Sequence, residues 1–465
     1  MKKLSRTTSE PPRPPKPVIG QVITLAATSL NEEGYALSTF ENRPVLVTGG
    51  LPGELVQARV THNGRRETFA TLTKVLRRSP DRLISPPCGH SACDGCPLIA
   101  MNYPAQLAWK RTAIAKAFNP FPRLRDVDIH DVAPSPQPLH YRTSAKLVVA
   151  GKFAAPVIGI YRKNSHDVLD IGDCPLHHPL INRVIASVRE GIRKGKVPIY
   201  SPRSGTGLLR YLVVRVSPTE NRAMAVFVTA ERSYNELHHL GKYIQGMVPE
   251  VTVVAQNVNA SAGNVVFGER DFFLTRERYL RDKLGDVGFA ISPRSFFQVN
   301  NDGARIIYDK VREWAALTGR EKVLDMYCGI GGISIFLARQ AREVVGIEVV
   351  EAAVADAERN ARLNGIANCR FEAGDAAELL EELRGENERF DLVVLNPPRK
   401  GCDERVLREV AAIAPGKIIY VSCAPQTLAR DLAILAGLGY RCREVQPVDM
   451  FPQTPHVENV ALIAP

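Results

Sequence analysis

KVLDMYCGIGGISIFLA, residues 322–338, runs from an apolar segment through a glycine-bearing turn into a second apolar stretch. It reads as strand, turn and helix, the repeating unit of an open α/β sheet. The segments that follow keep the rhythm. REVVGIEV is a strand ending at Glu348, and EAAVADAERNARLNG is a helix stopped by glycine. CRFEAGD, FDLVVLNPPRKG and KIIYVSC are further strands, each closing on a polar or reactive residue. Strands alternating with helices imply a parallel sheet covered on both faces. REVQPVDM and NVALIA then come as strands with no helix between them, so an antiparallel finish is expected.

Open sheets of this kind bind ligands beyond the C-terminal ends of their strands, which makes the residues at those tips the candidates for chemistry. Asp325-x-Tyr-Cys-Gly-x-Gly after one strand, with Glu348 after the next, is the layout of a nucleoside site. Glycines let the backbone approach the ligand, and the acid can accept both ribose hydroxyls. The turn lacks the G-x-G-x-x-G order of dinucleotide sites, and Gly329-Ile330-Gly331 with Asp325 upstream fits S-adenosylmethionine better than NAD. Asp375, ending the third strand, is placed to reach an adenine amino group. NPPRKG, residues 396–401, makes a rigid shelf on which Asn396 can hydrogen-bond a planar base. A similar motif serves methyltransferases acting on amino groups, so it names a class and not a target. In YVSCAPQTLARD, residues 420–431, an apolar strand ends at Cys423 just before a helix opens after Pro425. A lone cysteine is usually a small buried hydrophobe, but this one stands at a strand tip.

Upstream, FAISPRSFFQVNNDGARIIYDKVREW passes from a loop into a helix, with Phe296, Phe297 and Gln298 in the loop. Residues from about 111 to 300 read as mixed α/β, with strands such as LHYRTSAKLVVAG and LLRYLVVRVS and an amphipathic helix in HHPLINRVIASVREGIRK. Arg142, Lys146, Arg162, Lys163, Arg210 and Arg215 recur on those strands and can track an RNA backbone or simply face solvent. Cys88, Cys93 and Cys96 follow one another as C-x4-C-x2-C, and Cys174 stands alone before a proline. Four thiolates suit either a [4Fe-4S] cluster or zinc. The isolated fourth ligand leans toward iron-sulfur, while His90, His177 and His178 nearby keep zinc open. From Val18 to Arg78, short alternating segments broken by turn residues suggest a small antiparallel, OB-like barrel carrying Arg59, His62, Arg65, Arg66, Lys74, Arg77 and Arg78. Residues 1–17, MKKLSRTTSEPPRPPKP, read as a flexible basic tail.

A chain of 465 residues needs two or three domains. The expected division is the tail, the barrel at 18–78, a central α/β domain with the cysteines at 79–300, and a catalytic domain at 301–465. Hydrophobic residues at 45% and charged ones at 23% exclude wholesale disorder. No apolar run has the length of a membrane span, and the first residues contain no secretory core segment. Lys and Arg outnumber Asp and Glu by 60 to 49, which favours a polyanionic partner, nucleic acid before membrane. Nine cysteines without an export signal point to a reducing compartment, the cytoplasm.

FFQVN, DMYCGIGG, VVLNPPRKG, YVSCAPQTLARDL and DMFPQTPHVENVALI, in that order, resemble the RNA 5-methyluridine methyltransferases, and the resemblance spans nearly the whole chain. That family acts on transfer RNA and on large-subunit ribosomal RNA. The resemblance implies a C-terminal Rossmann-like, S-adenosylmethionine-dependent methyltransferase domain and a TRAM barrel that binds RNA. It implies that Cys423 adds to uracil C6 and that Glu458, in His456-Val457-Glu458, removes the C5 proton. It places Gln298, Tyr327, Glu348, Asp375 and Asn396 around the donor, and Cys88, Cys93, Cys96 and Cys174 around a [4Fe-4S] cluster, with zinc the alternative. Barrel and cysteines together lean toward ribosomal RNA as substrate, and no membrane or obligate protein partner is implied. Three positions depart from the family pattern: Asn396 stands where many relatives have Asp, Gly332 where some have Asn, and C-x4-C where C-x5-C is common. The alternatives are a transfer RNA uridine-C5 methyltransferase and a non-catalytic RNA-binding or ribosome-assembly protein on the same scaffold. An amino-group methyltransferase would have no use for Cys423.

Overall fold

A computed structural model describes residues 16–90, 93–163, 165–261, 263 and 265–465, so the expected basic tail lies almost wholly outside the described residues. Two compact units emerge. One comprises the chain up to Gly89 with Asp94–Gln106 and Gln453–Pro455; the other comprises His90–Cys93, Leu107–Pro452 and His456–Pro465.

In the first unit, strands β1 (Val22–Ala26), β2 (Ser29–Leu30), β3 (Ala36–Phe40), β4 (Arg43–Thr48), β5 (Leu55–Asn63) and β6 (Thr68–Arg77) form one barrel-like sheet in the order β1-β5-β6-β4-β3-β2. Alternation drives it: Ile23 and Leu25 of β1 are buried while Val22, Thr24 and Ala26 are exposed. Three register shifts between β5 and β6 bend that pair. One expectation needs correction. The sheet is not purely antiparallel, because β4 and β6 run parallel; the hairpin through β5 returns β6 to the far side of β4. The cationic residues Arg59, His62, Arg65, Arg66, Lys74, Arg77 and Arg78 are all exposed.

Helix α1 (Tyr103–Phe118) enters the second unit at Leu107 and is followed there by the short strand β7 (Asp128–Ile129). Next come β8 (Ser144–Lys152), β9 (Ala155–Tyr161), β10 (Val168–Asp170), α2 (Pro179–Gly195), β11 (Leu209–Ser217), β12 (Arg222–Thr229), α3 (Asn235–Met247), β13 (Val251–Val258) and β14 (Arg270–Phe273). They make a seven-stranded sheet ordered β10-β9-β8-β11-β12-β13-β14, antiparallel except between β12 and β13. Leu180, Ile181 and Val184 of α2 and Leu237, Leu240 and Ile244 of α3 cover one face. The other face, through Tyr211, Val213 and Val226, packs on a hairpin of β15 (Leu280–Leu284) and β16 (Val287–Ile291) and on α4 (Asn301–Ala315).

The last part of the unit contains β17 (Lys322–Met326), α5 (Gly332–Ala338), β18 (Glu343–Glu348), α6 (Glu351–Leu363), β19 (Cys369–Ala373), α7 (Ala376–Gly385) and β20 (Leu392–Leu395). It closes with α8 (Glu404–Ile413), β21 (Lys417–Ser422), α9 (Pro425–Gly437), β22 (Arg441–Val448) and β23 (Glu458–Ala464). The sheet order is β19-β18-β17-β20-β21-β23-β22-β7. β19 to β21 are parallel, whereas β23 is antiparallel to both β21 and β22, as the sequence implied. Alternate residues feed opposite layers: Val323 and Val394 meet α4 and α5, while Leu324 and Val393 meet the layer of α7, α8 and α9. Each such aliphatic side chain contributes about 1.5–3 kcal/mol by leaving water. Strand order reverses between β17 and β20, so the loops after these two strands diverge and leave a crevice. No helix among the described residues is long and apolar enough to cross a membrane.

Candidate active site

The turn after β17 is built from left-handed backbone. Tyr327, Gly329 and Gly331 have φ of +62°, +56° and +80°. Glycine adopts this region at no steric cost, whereas Tyr327 is held there against its preference. At Gly332 even a methyl group would not fit, since a Cβ would lie 2.5 Å from the Tyr308 hydroxyl. The Glu348 carboxylate, at the tip of β18, accepts hydrogen bonds from Gly329 N at 3.1 Å and Val350 N at 3.0 Å. Those two amides lock the carboxylate against the turn.

Beside this turn lies a solvent-open cleft of about 430 Å3. Its walls include Phe296, Gln298, Tyr308, Asp325, Tyr327 and Asn396, drawn from the loop before α4, from α4, and from the tips of β17 and β20. Three of the five expected donor residues, Gln298, Tyr327 and Asn396, therefore share one cavity. Glu348 and Asp375 stand outside its lining; Asp375 caps α7, accepting from Ala377 N at 2.9 Å and Glu378 N at 3.2 Å. The loop bearing Phe296 and Gln298 is pinned to α6 by Ser292 and Ser295, both donating to Asp356.

Two further wall residues were assigned no contact of their own in the sequence. Asp325 is buried, and burial raises its carboxyl to about 7. Its Oδ2 accepts from Ser334 Oγ at 2.5 Å, and its Oδ1 has no hydrogen-bond partner. Tyr308, buried against Phe336 at 5.0 Å between ring centroids, presents its hydroxyl beside Gly332. Asp325 opened the glycine-turn motif in the sequence, whereas Tyr308, which reaches the cleft from a helix, belonged to no motif.

Cys423 sits one residue beyond β21. The antiparallel register of β21 and β23 pairs Val421 with Val460 and Ser422 with Asn459, which brings Cys423 opposite Glu458. Asn459 Nδ2 donates to Ser422 O at 3.2 Å and fixes that junction. The thiol is half-buried and its titration is raised, first by burial and then by the Glu458 charge, with the Arg399 guanidinium beside it opposing both. Glu458 is 8% exposed, and burial lifts its carboxyl to about 7, again opposed by Arg399. His456 is pushed down to about 4 by burial and by the surrounding cations Arg399, Lys110 and Arg142, so it is neutral at pH 7. Arg399 is the residue most clearly missed in the sequence. NPPRKG showed a shelf and an amide; that its arginine meets the thiol depends on the fold.

The four cysteines of the expected cluster are divided between the units, Cys88 and Cys96 in the first, Cys93 and Cys174 in the second. Among the described residues no three His, Cys, Asp or Glu side chains are grouped to hold a metal.

Comparison with known proteins settles the class. Residues 258–464 match the tRNA (Uracil-5-)-methyltransferase family model. An RNA methyltransferase of Geobacter sulfurreducens, described as uncharacterized, is 63% identical over 96% of this chain and 90% of its own. The chain belongs to the RNA uracil-5 methyltransferase family. A further relative from Halalkalibacterium halodurans, also described as an uncharacterized RNA methyltransferase, is 37% identical over 95% of this chain and 96% of its own. Among solved structures, the Pyrococcus abyssi tRNA (uracil-54, C5)-methyltransferase in complex with S-adenosyl-L-homocysteine superimposes with a TM-score of 0.77. It is 29% identical and covers 95% of this chain and 100% of its own.

Proposed function

We propose that this chain methylates C5 of a uridine in RNA with S-adenosylmethionine as donor, Cys423 as nucleophile and Glu458 as base. The observation that carries the reading is Cys423 opposite Glu458, with Arg399 against the thiol. Uracil C5 is too weak a nucleophile to attack a sulfonium methyl unaided. The Cys423 thiolate, favoured by the Arg399 charge, adds to C6 and gives C5 enolate character. S-adenosylmethionine, when bound, supplies the electrophilic methyl group. Glu458, in its anionic form, then takes the C5 proton, and elimination of the Cys423 thiolate restores the aromatic ring. Gln298, Tyr327 and Asn396 hold the donor in the cleft. Glu348 faces the ribose and Asp375 the adenine, while Asn396 also offers its amide to the uracil edge.

The proposed target is large-subunit ribosomal RNA, bound in part by the exposed cations of a TRAM-type barrel. Transfer RNA is the second reading. It is favoured by the Pyrococcus abyssi enzyme, whose stated substrate is tRNA and which matches nearly the full length of this chain. The cluster on Cys88, Cys93, Cys96 and Cys174 is supported by cysteine spacing alone, and no step of the reaction is assigned to it. Iron content and the visible absorption of anaerobically purified protein distinguish it from zinc. Cysteine usage supports a cytoplasmic location. The decisive experiment is Cys423→Ala. Methyl transfer and the covalent RNA adduct seen on denaturing gels are both expected to vanish, and undiminished transfer would refute the mechanism. Mapping 5-methyluridine in ribosomal and transfer RNA from a deletion strain separates the two substrates.

A further inference from the structure

The helix that follows the nucleophile has an unexplained polar end. Asp431, on α9, is fully buried, and Arg430 lies beside it. Asp431 Oδ2 accepts from Cys402 N at 2.8 Å and from Tyr420 OH at 2.6 Å, while Oδ1 accepts from Arg430 Nε at 2.8 Å. The other end of the Arg430 guanidinium donates to Lys400 O at 3.0 Å and Cys402 O at 3.1 Å. One turn earlier, the single hydroxyl proton of Thr427 is shared between Arg399 O at 3.2 Å and Ala424 O at 3.1 Å. Thr427, Arg430 and Asp431 of α9 thus engage the backbone at residues 399, 400 and 402. Gly401 completes the fit. Its φ is +76°, and a Cβ there would lie 2.5 Å from Asp431 Oδ2 and 2.6 Å from the Arg430 guanidinium. The loop and the helix are interlocked with no room for a side chain.

This loop carries Arg399, whose guanidinium lies beside the Cys423 thiol and favours its ionised form. Two charged groups face that thiol: Arg399 from the loop, favouring thiolate, and Glu458 from β23, opposing it. Arg399 is itself exposed and has a long flexible side chain, so its backbone anchor decides where the charge sits. We propose that Thr427, Arg430 and Asp431 are positioning residues that hold Arg399 against Cys423. The thiol's activation then depends on the α9 clamp. The inference rests on the assignment of Cys423 as nucleophile.

Alkylation of Cys423 by iodoacetamide tests it without RNA. The rate is followed against pH by mass spectrometry of the peptide containing Cys423, in the full-length protein. Arg430→Met and Arg399→Gln are each expected to move the midpoint upward and to slow alkylation at pH 7 roughly tenfold, as a one-unit rise in thiol titration requires. The double variant is expected to be no slower than Arg399→Gln alone, because the two residues act in series. Should Arg430→Met fold poorly, as judged by thermal melting and S-adenosylhomocysteine binding, Asp431→Asn keeps an acceptor for Cys402 and Tyr420 while removing the charge that holds Arg430. A folded clamp variant with the wild-type pH profile, or additive effects in the double variant, would overturn the proposal. Failure of the catalytic assignment would show elsewhere, as methyl transfer by Cys423→Ala.

Discussion

At the scale of single residues, Glu458 links activity and stability. Its carboxyl titrates near 7 in the folded chain against an ordinary value of 4.5, because burial disfavours the anion. As the proposed base it must be ionised, so the pH–rate profile is expected to rise through about 7. Linkage runs the other way. A carboxyl raised on folding contributes stability that is complete below the unfolded value and lost as pH climbs through the folded one. Glu458→Gln stays neutral. It is therefore expected to melt higher than wild type at pH 8, by on the order of 2 kcal/mol, and to match it near pH 4. The same variant should slow proton removal at least ~100-fold and let the methylated covalent adduct accumulate on denaturing gels. A variant that loses activity without accumulating adduct would place the base elsewhere. Cys423 and Glu458 could be singled out in the sequence because a motif names each of them. Arg399 could not, because a cation in a loop acquires its role only from what the fold sets beside it.

At the scale of elements, α1 shows why part of the architecture was hidden. Its inward surface includes Gln106 and Lys110, which are 1% and 0% exposed, so the apolar stripe that marks a packed helix is interrupted. Lys110 is spent on the segment that leads to β23: its Nζ donates to Asp449 Oδ1 at 2.5 Å and to Phe451 O at 3.0 Å. Burial lowers the Lys110 ammonium and the Asp449 charge raises it. Removing one partner leaves the other charge stranded. Lys110→Met is expected to cost about 3–5 kcal/mol in urea denaturation, and Lys110→Met with Asp449→Leu to recover part of it. Equal losses in the single and double variants would mean that packing, not charge, dominates. The strands of the large sheet, by contrast, were readable because β20 and β21 are buried on both faces and carry apolar runs, Leu392–Leu395 and Ile418–Val421. The parallel pairing of β4 and β6 was not, since alternation marks a strand's inner face but says nothing of its neighbour.

At the scale of the whole molecule, charge organises the encounter with substrate. The net formal charge of +11 includes the exposed cations of the first unit, which form no part of the cleft. Replacing Arg65, Arg66, Arg77 and Arg78 with alanine is expected to weaken RNA binding at least ~10-fold at low salt and to flatten the dependence of log K on log salt by roughly 0.7 per lost phosphate contact. Affinity for S-adenosylhomocysteine should not change. An unaltered salt slope would remove this face from the RNA path.

The placement of β23 has a consequence for how the enzyme comes to exist. β23 lies between β21 and β22 and is antiparallel to both, so it is an inserted central strand and not an added edge. β22 in turn pairs with β7, more than 300 residues earlier in the chain. Such contacts close large loops and form slowly. Until β23 slides into its gap, Cys423 has no Glu458 opposite it and the thiol can be exposed without being competent. The proposed catalytic pair is therefore expected to form late in folding, so a refolding chain should bind S-adenosylhomocysteine before it can form an RNA adduct that turns over.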